Sequence, residues 1–298
     1  MQRSQTMMNE KIRSRLLVLG ANGMLGNTVL RWFDQCSNHE VFGSVRALSG
    51  ASGLQAQLKR AQFVSGHELQ DTSGLKTLVE RVRPDVVINC VGVVKQLAGA
   101  DDPRAAIPIN ALLPHRLARI CANFNARLIH IGTDCVFSGN RGNYTETDIP
   151  DANDLYSRSK LMGEVDYENA ITLRTSIIGH ELNAAHGLLG WFLAQGGPVP
   201  GFSKAIFSAL PTVEFARVIQ EFVIPNPKLR GTYHVAGPAI SKYELLKLVA
   251  QAYGRNTLII PETNLVIDRS LNAEAFRGAT GYVAPKWEEL VRRMREFR

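Results

Sequence analysis

The sequence predicts an α/β fold built on a doubly wound parallel sheet, and three observations support this. Short apolar runs of strand length alternate with helical segments, which is typical of a parallel sheet covered by helices on both faces. A glycine-rich turn joins the first run to an amphipathic helix, and a looser stretch rich in glycine and proline begins after Ile177. The predicted strands cover residues 16–19, 41–45, 62–64, 86–89, 128–131, 171–174 and 232–235.

The predicted helices carry apolar residues at helical spacing between these strands. They cover residues 75–82, 112–124, 156–168 and 213–223, and two more follow the last strand at 243–252 and 287–297. Ser241, followed by Glu244, is a capping-box signal for the first of those two. We predict a flexible leader at 1–14 and a cofactor-binding domain at 15–176, to which 212–237 return. Residues 177–211 and 238–298 are predicted to form a small α/β substrate lobe, in which 177–211 suits a lid more than a sheet.

The composition is that of an ordinary globular protein with a substantial core. Of the 298 residues, 45% are hydrophobic, and no stretch approaches the ~20 apolar residues of a membrane span. The polar, charged N-terminal residues do not form a signal peptide, which predicts a cytoplasmic protein. The four cysteines lie far apart, so we expect neither a disulfide framework nor a metal site. The formal charge of +7 is scattered without interleaved aromatic residues, which argues against nucleic acid as a partner.

The turn after the first strand is the strongest functional signal in the chain. Residues 20–26 read Gly-Ala-Asn-Gly-Met-Leu-Gly, and the helix that follows begins without a charged residue. Backbone N–H groups at such a helix N-terminus face a pyrophosphate in dinucleotide-binding proteins. The turn therefore predicts a dinucleotide site, with the contacts Gly20, Asn22, Gly23, Met24, Leu25 and Gly26.

The end of the second strand indicates which dinucleotide is bound. An acidic residue there takes the ribose hydroxyls of NAD, whereas a basic residue accepts the 2′-phosphate of NADP. This chain has Ser44 and Arg46 at that place and no carboxylate between residues 41 and 57. Because a guanidinium suits a phosphate, we predict NADP(H).

A tyrosine and a lysine near the start of a later helix predict the chemistry. Tyr156 and Lys160 are four residues apart and share one helix face, and a nearby ammonium helps a phenol to exchange a proton near neutral pH. Thr133 follows the fifth strand, where open α/β sheets place their ligands. We predict that Tyr156 protonates a carbonyl oxygen as NADPH delivers hydride to the carbon. Lys160 would tune Tyr156 and hold the nicotinamide ribose, and Thr133 would orient the carbonyl.

These motifs together resemble the extended short-chain dehydrogenase/reductases, and among them the dTDP-4-dehydrorhamnose reductase branch. The likeness rests on residues 20–26, 86–92, 110, 133–137, 156–160, 174–176 and 231–237. It implies a Rossmann domain with a small C-terminal lobe and reduction of the 4-keto group of a nucleotide-activated deoxysugar, as in polysaccharide biosynthesis. Homo-oligomers are common in that superfamily, although the sequence identifies no interface.

The resemblance also assigns residues by position to the cofactor and to the substrate. Those beside the cofactor are Glu68, Leu69, Cys90, Val91 and Gly92. Those near the substrate are Lys95, Asn110, Cys135, Phe137, Phe207 and Arg269. Simpler interpretations stay open, since Glu68 and Lys95 also suit solvated charges. Phe207 equally suits a hydrophobic turn, and Arg269 an ion pair.

Two alternatives to the simple reductase stay open. Cys135 lies two residues after Thr133, the offset at which GDP-fucose synthase relatives carry an acid/base cysteine, so a combined epimerase and reductase is one alternative. Its partner would be His180. Relatives of the branch also serve as regulatory subunits that keep a nucleotide pocket without turnover, although the retained Tyr156 and Lys160 oppose that second alternative.

Overall fold

The protein, described from a computed structural model, is defined over residues 13–95, 101–182 and 185–298. Most of the predicted leader at 1–14 therefore lies outside the described residues. The strands are β1 (Arg15–Leu19), β2 (Glu40–Ser44), β3 (Gln62–Val64), β4 (Val86–Asn89), β5 (Arg127–Ile131), β6 (Ala170–Arg174), β7 (Ile177–Ile178), β8 (Val199–Phe202), β9 (Ala205–Phe207), β10 (Leu210–Pro211), β11 (Gly231–His234), β12 (Ile240–Ser241), β13 (Ile259–Glu262) and β14 (Ile267–Asp268).

Helices alternate with these strands. They are α1 (Met24–Cys36), α2 (Ser52–Gln55), α3 (Thr72–Val82), α4 (Pro103–Ala106), α5 (Leu113–Asn123), α6 (Leu155–Met162), α7 (Leu188–Leu193), α8 (Thr212–Val218), α9 (Lys242–Tyr253), α10 (Glu274–Thr280) and α11 (Trp287–Glu296). A π-helical segment, Ile107–Leu112, joins α4 to α5, and another, Ile219–Val223, extends α8. None of the helices within the described ranges is long and apolar enough to cross a bilayer.

The main sheet has seven parallel strands in the order β3-β2-β1-β4-β5-β6-β11, which confirms the predicted fold class. All seven predicted strands lie in it. From β1, the strands β2 and β3 follow towards one edge of the sheet. From β4, which pairs with the other side of β1, the strands β5, β6 and β11 follow towards the opposite edge. The strand order thus reverses between β1 and β4, which opens a crevice outside their carboxyl ends.

The core lies on both faces of this sheet because its central strands are buried on both sides. In β1, Leu16 and Val18 join a cluster that includes side chains of α1, α8, α9 and α11. Leu17 and Leu19, one residue out of phase, join a second cluster with α3 and α5. This two-sided packing fixes the ends of β1 and β4, and with them the crevice.

Two of the sequence predictions about local structure are wrong. The stretch predicted to suit a lid more than a sheet contains strands, because β7, β8, β9 and β10 lie within it together with α7. Gly201 lies within β8. Only glycine fits at this position, because a Cβ there would come 2.7 Å from atoms of Ile259 and Tyr243. The helix predicted at 156–168 ends at Met162. Gly163 follows it, and a Cβ there would lie 1.9 Å from the carbonyl oxygen of Asn110, so only glycine fits this close approach.

Candidate active site

The glycine-rich turn connects β1 to α1 and leaves the start of the helix open. Gly20 has a φ of 77°, in the left-handed region that favours glycine, and its carbonyl accepts from the N–H of Gly23 at 2.9 Å. A Cβ at Gly26 would lie 2.1 Å from the same carbonyl oxygen, so glycine is required there. The N-cap, Gly23, is exposed and offers no side-chain acceptor, and the first turn holds no acidic residue. These features fit the pyrophosphate of a dinucleotide.

The carboxyl ends of β2 and β4 border this turn. The N–H of Ala21 donates to the carbonyl of Ser44 at 3.1 Å, which joins the turn to the end of β2, and Arg46 is exposed two residues further on. On the other side, a Cβ at Gly20 would lie 3.1 Å from the side chain of Val91 and 3.3 Å from the carbonyl of Cys90. The structure therefore brings these predicted cofactor residues to one crevice.

The other residues predicted beside the cofactor lie in the loop after β4 and in the segment between β3 and α3. Gly92 follows in the β4 loop, where a Cβ would lie 3.6 Å from Oδ1 of Asn110. Leu69 packs against the cluster that holds Leu17 and Leu19. Glu68 is exposed, and its carbonyl accepts from the N–H of Asp71, the N-cap of α3. Contact between these residues and an adenine stays a prediction.

Tyr156, Thr133 and Lys160 lie at the carboxyl end of β5. Nζ of Lys160 donates to the carbonyl of Ile131, the last residue of that strand, at 2.7 Å. Oγ1 of Thr133 accepts from the N–H of Cys135 at 3.2 Å and caps a short 3₁₀ turn. Burial raises the pKa of Tyr156 and the neighbouring Cys135 raises it further, whereas an interaction with the Thr133 side chain lowers it. Tyr156 is half-buried, and its phenol interacts with the side chain of Thr133 at the end of β5.

Lys160 is buried, and its charge is only partly compensated. Burial lowers its pKa to about 8, while Glu164 and Cys90 act in the opposite direction. The same burial raises the pKa of the Cys90 thiol to about 12. Lys160 is therefore fixed at the end of β5, where its charge acts on Cys90 just after β4.

At the N-terminus of α6, Lys95, one of the predicted substrate residues, meets Asp154, which sequence reasoning missed. Asp154 caps the helix by accepting from the N–H and the Oγ of Ser157 at 3.0 and 2.7 Å. Its Oδ2 also receives Nζ of Lys95 at 2.8 Å, and that same nitrogen lies 5.4 Å from the centroid of the Tyr156 ring. Burial alone would raise the pKa of Asp154, but the hydrogen bonds from Lys95 and Ser157 lower it to about 2.

Two predicted substrate residues are engaged with other protein groups. Asn110 is buried in the π-helical segment, where its amide accepts from the N–H of Val93 at 2.9 Å and donates to Ser159 at 3.2 Å. Phe137 is fully buried and stacks on Tyr144 at a centroid distance of 4.2 Å. Asn110 thus joins the β4 loop to α6, and Phe137 belongs to the core; neither presents a free side chain to the crevice.

Arg269 and Phe207 are neighbours near the 3₁₀ turn. The N–H of Arg269 donates to the carbonyl of Ile206, the residue before Phe207, at 3.0 Å. Nε of Arg269 donates to the carbonyl of Phe137 at 2.9 Å, and its charge acts on both Asp134 and Cys135. Both Arg269 and Phe207 are half-buried, and Arg269 brings a positive charge from beyond β14 to the 3₁₀ turn.

Cys135 and His180 are held by different parts of the molecule. Burial, and then the charge of Asp134, raise the pKa of Cys135 to about 12. Nε2 of His180 instead contacts the hydroxyl of Tyr253 on α9 at 2.9 Å. Burial, and then Arg298 and Arg31, lower the pKa of that histidine. The pair that the epimerase alternative requires is therefore not assembled.

Comparison with known proteins gives relatives along most of the chain. The "Probable low-salt glycan biosynthesis reductase Agl14" of Haloferax volcanii is 28% identical over 263 residues, 84% of each protein. "Methionine adenosyltransferase 2 subunit beta" of Rattus norvegicus is 28% identical over 260 residues, 80% of this chain and 72% of the relative. Among solved structures, dTDP-4-dehydrorhamnose reductase from Bacillus anthracis, in complex with NADP, superimposes with a TM-score of 0.75 at 20% identity. That likeness covers 95% of this chain and 99% of the other and supports the fold.

The family assignment comes from a model of related sequences. The model described as "RmlD substrate binding domain" matches residues 14–294, which include the main sheet and the C-terminal helices. The chain belongs to the RmlD substrate binding domain family.

Proposed function

We propose that this chain reduces the 4-keto group of a nucleotide-activated deoxysugar with NADPH. The observation that carries the proposal is the meeting of Thr133, Tyr156 and Lys160 at the end of β5, beside the open N-terminus of α1. The family membership supports it, as do the names of two similar proteins, a glycan biosynthesis reductase and a dTDP-4-dehydrorhamnose reductase that holds NADP.

The side chains of the site divide the work of adding hydride and proton to a carbonyl. When bound, NADPH supplies the hydride that forms the new C–H bond. Tyr156 donates its phenolic proton to the oxygen that becomes the alcohol, and Thr133 orients that oxygen by donating a hydrogen bond. Lys160 is placed to hold the nicotinamide ribose. Because burial raises the pKa of Tyr156, the phenol stays protonated at neutral pH, as a general acid must.

The cofactor is held by the crevice that opens between β1 and β4. The open N–H groups of α1 meet the pyrophosphate, and Arg46, exposed beyond β2, meets the 2′-phosphate. We assign residues 15–176 and 212–237 to this cofactor-binding domain. Residues 177–211 and 238–298 form the substrate lobe, in which Arg269 faces the diphosphate of the sugar nucleotide and Phe207 stacks on its base. We propose that the reaction takes place in the cytoplasm.

The test is turnover by purified protein with NADPH and dTDP-4-keto-6-deoxy sugars, followed by identification of the product. Tyr156→Phe should lower kcat/KM by about 10²–10⁴-fold, the usual contribution of general acid catalysis, with little change in the Kd for NADPH. The control is Tyr167→Phe, because Tyr167 is exposed and contacts His115 away from the site. Full activity in Tyr156→Phe would contradict the proposal.

A second candidate is a cofactor-binding subunit that regulates another enzyme. The specific observation in its favour is the 28% identity to a protein named as a subunit of methionine adenosyltransferase. The grouping of Tyr156 and the buried Lys160 with Thr133 favours catalysis instead, since a site that only binds nucleotide does not need a proton donor. NADPH binding without oxidation by any 4-keto nucleotide sugar, together with unchanged behaviour of Tyr156→Phe, would favour the subunit.

A further inference from the structure

Two contacts distinguish Lys95 from a cation that is surrounded only by water. Its Nζ lies 2.8 Å from Oδ2 of Asp154 and 5.4 Å from the centroid of the Tyr156 ring. The side chains of Lys95 and Asp154 are 38% and 44% exposed, so their ion pair adds little to stability. Stability therefore does not explain the pair, and the ammonium also lies over the ring of a predicted catalytic residue.

The charges around Tyr156 come from several elements. The segment after β5 brings Asp134 and Cys135, together with the hydroxyl of Thr133. The start of α6 brings Asp154, and Arg269 of the C-terminal lobe acts on Asp134 and Cys135. Lys160, on the same helix, bonds its ammonium to the carbonyl of Ile131. Thus the acidic groups oppose ionisation of the phenol, while Lys95 places a positive charge over its ring.

We propose that Lys95 is a positioning residue that tunes the proton affinity of the Tyr156 phenol, and that Asp154 is the counter-ion that opposes it. A cation above the ring face is attracted to the π-electrons, and more strongly to the charge of a phenolate. Asp154 acts in reverse, both by its own negative charge and by offsetting that of Lys95. The inference rests on the proposed function only in taking Tyr156 as the proton donor.

The two members of the ion pair must therefore have opposite effects. Lys95→Met removes the cation but keeps a long apolar side chain, so the phenol becomes harder to ionise. Asp154→Asn removes the anion but leaves a good N-cap residue for α6, so the phenol becomes easier to ionise. A purely structural role of the pair would move both variants in the same direction or move neither.

The experiment reads the phenol directly, without turnover. A fluorinated tyrosine, whose phenol is more acidic than that of tyrosine, is placed at position 156, and its ionisation is followed by fluorine NMR against pH in protein without substrate. A unit charge at this distance predicts a rise in the pKa of about half a unit or more for Lys95→Met, and a fall of similar size for Asp154→Asn. Lys95→Arg should behave nearly as the unchanged protein.

The chain offers a matched control on α9. Lys247 lies 5.2 Å from the ring centroid of Tyr243 and 3.2 Å from Glu244, a similar arrangement of cation, ring and carboxylate. Lys247→Met should leave the probe at position 156 unmoved. Opposite shifts in Lys95→Met and Asp154→Asn support the proposal, and any other pattern overturns it. Because no substrate is present, the result is independent of whether the proposed reaction is correct.

Discussion

The two residues at the start of α6 show how one environment prepares two groups differently. Burial raises the pKa of Tyr156, because the phenolate is its charged form, and lowers that of Lys160 to about 8, because the ammonium is the charged form. The phenol of Tyr156 therefore keeps its proton, while the ammonium of Lys160, one helical turn away, loses its proton more easily than a solvated lysine does. This pairing suits reduction of a carbonyl near neutral pH.

Arg46 provides the test of the cofactor assignment at a single residue. Arg46→Ala should raise the Kd for NADPH by about 10- to 100-fold, because a hydrogen bond to a charged group contributes roughly 1.5–3 kcal/mol. The Kd for NADH should change little, since NADH lacks the 2′-phosphate. Fluorescence titration with both nucleotides measures the two constants.

The control for this exchange is Arg230→Ala. Arg230 is exposed and precedes β11, at the opposite edge of the parallel sheet. Arg230→Ala should leave the Kd for NADPH and the Kd for NADH unchanged. An equal loss of NADPH and NADH affinity in Arg46→Ala would contradict the assignment of the 2′-phosphate to this residue.

Gly26 links the backbone of the turn to the stability of the whole domain. A Cβ in Gly26→Ala would lie 2.1 Å from the backbone oxygen of Gly20, which cannot move aside as a flexible side chain would. We expect a loss of about 1–3 kcal/mol or more in the free energy of unfolding, and weaker NADPH binding. Urea denaturation and nucleotide titration measure the two effects.

A second glycine-to-alanine exchange separates this clash from the intrinsic effect of alanine. Gly278 is exposed within α10, and a Cβ there meets no atom within 4 Å among the described residues. Gly278→Ala should stabilise the protein by about 0.5–1 kcal/mol, as alanine favours a helix more than glycine does. Similar effects of the two exchanges would contradict the steric account.

The elements that sequence reasoning located best are the strands of the main sheet. β1 and β4 are buried on both faces, so their uninterrupted apolar runs are informative without any tertiary contact. The end of α6 was not predicted, and the close approach of the Asn110 carbonyl to Gly163 at that point comes from another element that no local signal reveals. The local signal for Asp154, an acidic residue just before a helix, was present in the sequence but did not reveal its contact with Lys95.

Helices α8 and α11 are joined by a carboxylate that has no exposed atoms. Glu214 accepts hydrogen bonds from Arg217 and Arg293, both at 2.7 Å, and from the hydroxyl of Tyr282 at 3.0 Å. Its side chain is 0% exposed. Burial alone would raise its pKa, but the hydrogen bonds and charges of the two arginines lower it overall. The network therefore joins α11 to α8.

Glu214→Gln should lower the free energy of unfolding at pH 7 by about 2 kcal/mol. That is less than the roughly 3–5 kcal/mol lost when a fully buried pair is broken, since both arginines are partly exposed. The folded pKa of Glu214 is below its ordinary value near 4.5. Its contribution is therefore complete above that value and is lost as the pH falls through the folded pKa.

Denaturant titrations at several pH values measure this difference. The difference in the free energy of unfolding between Glu214→Gln and the unchanged protein should be constant near pH 7 and should disappear in acid. Glu274→Gln is the control, because Glu274 and its partner Arg277 are exposed, and it should cost no more than about 0.5 kcal/mol. A gap that persists unchanged in acid would contradict the ionic basis of the network.

At the scale of the whole molecule, the site is built from segments that are distant in the chain. The turn after β1, the loop after β4, the 3₁₀ turn after β5 and the start of α6 meet at the carboxyl edge of one sheet. Arg269 reaches the same place from beyond β14 through its bond to Phe137. Strand order explains why the motifs of the sequence converge at one edge of the sheet.

The most direct measurement of the central claim follows the hydride itself. NADPH deuterated on the nicotinamide carbon that donates is mixed with a dTDP-4-keto-6-deoxy sugar, and the product is analysed by NMR. We predict one deuterium at C4 of the sugar, none elsewhere in the ring, and no transfer in Tyr156→Phe over the same time. A product without deuterium at C4, or equal transfer in Tyr156→Phe, would contradict the account.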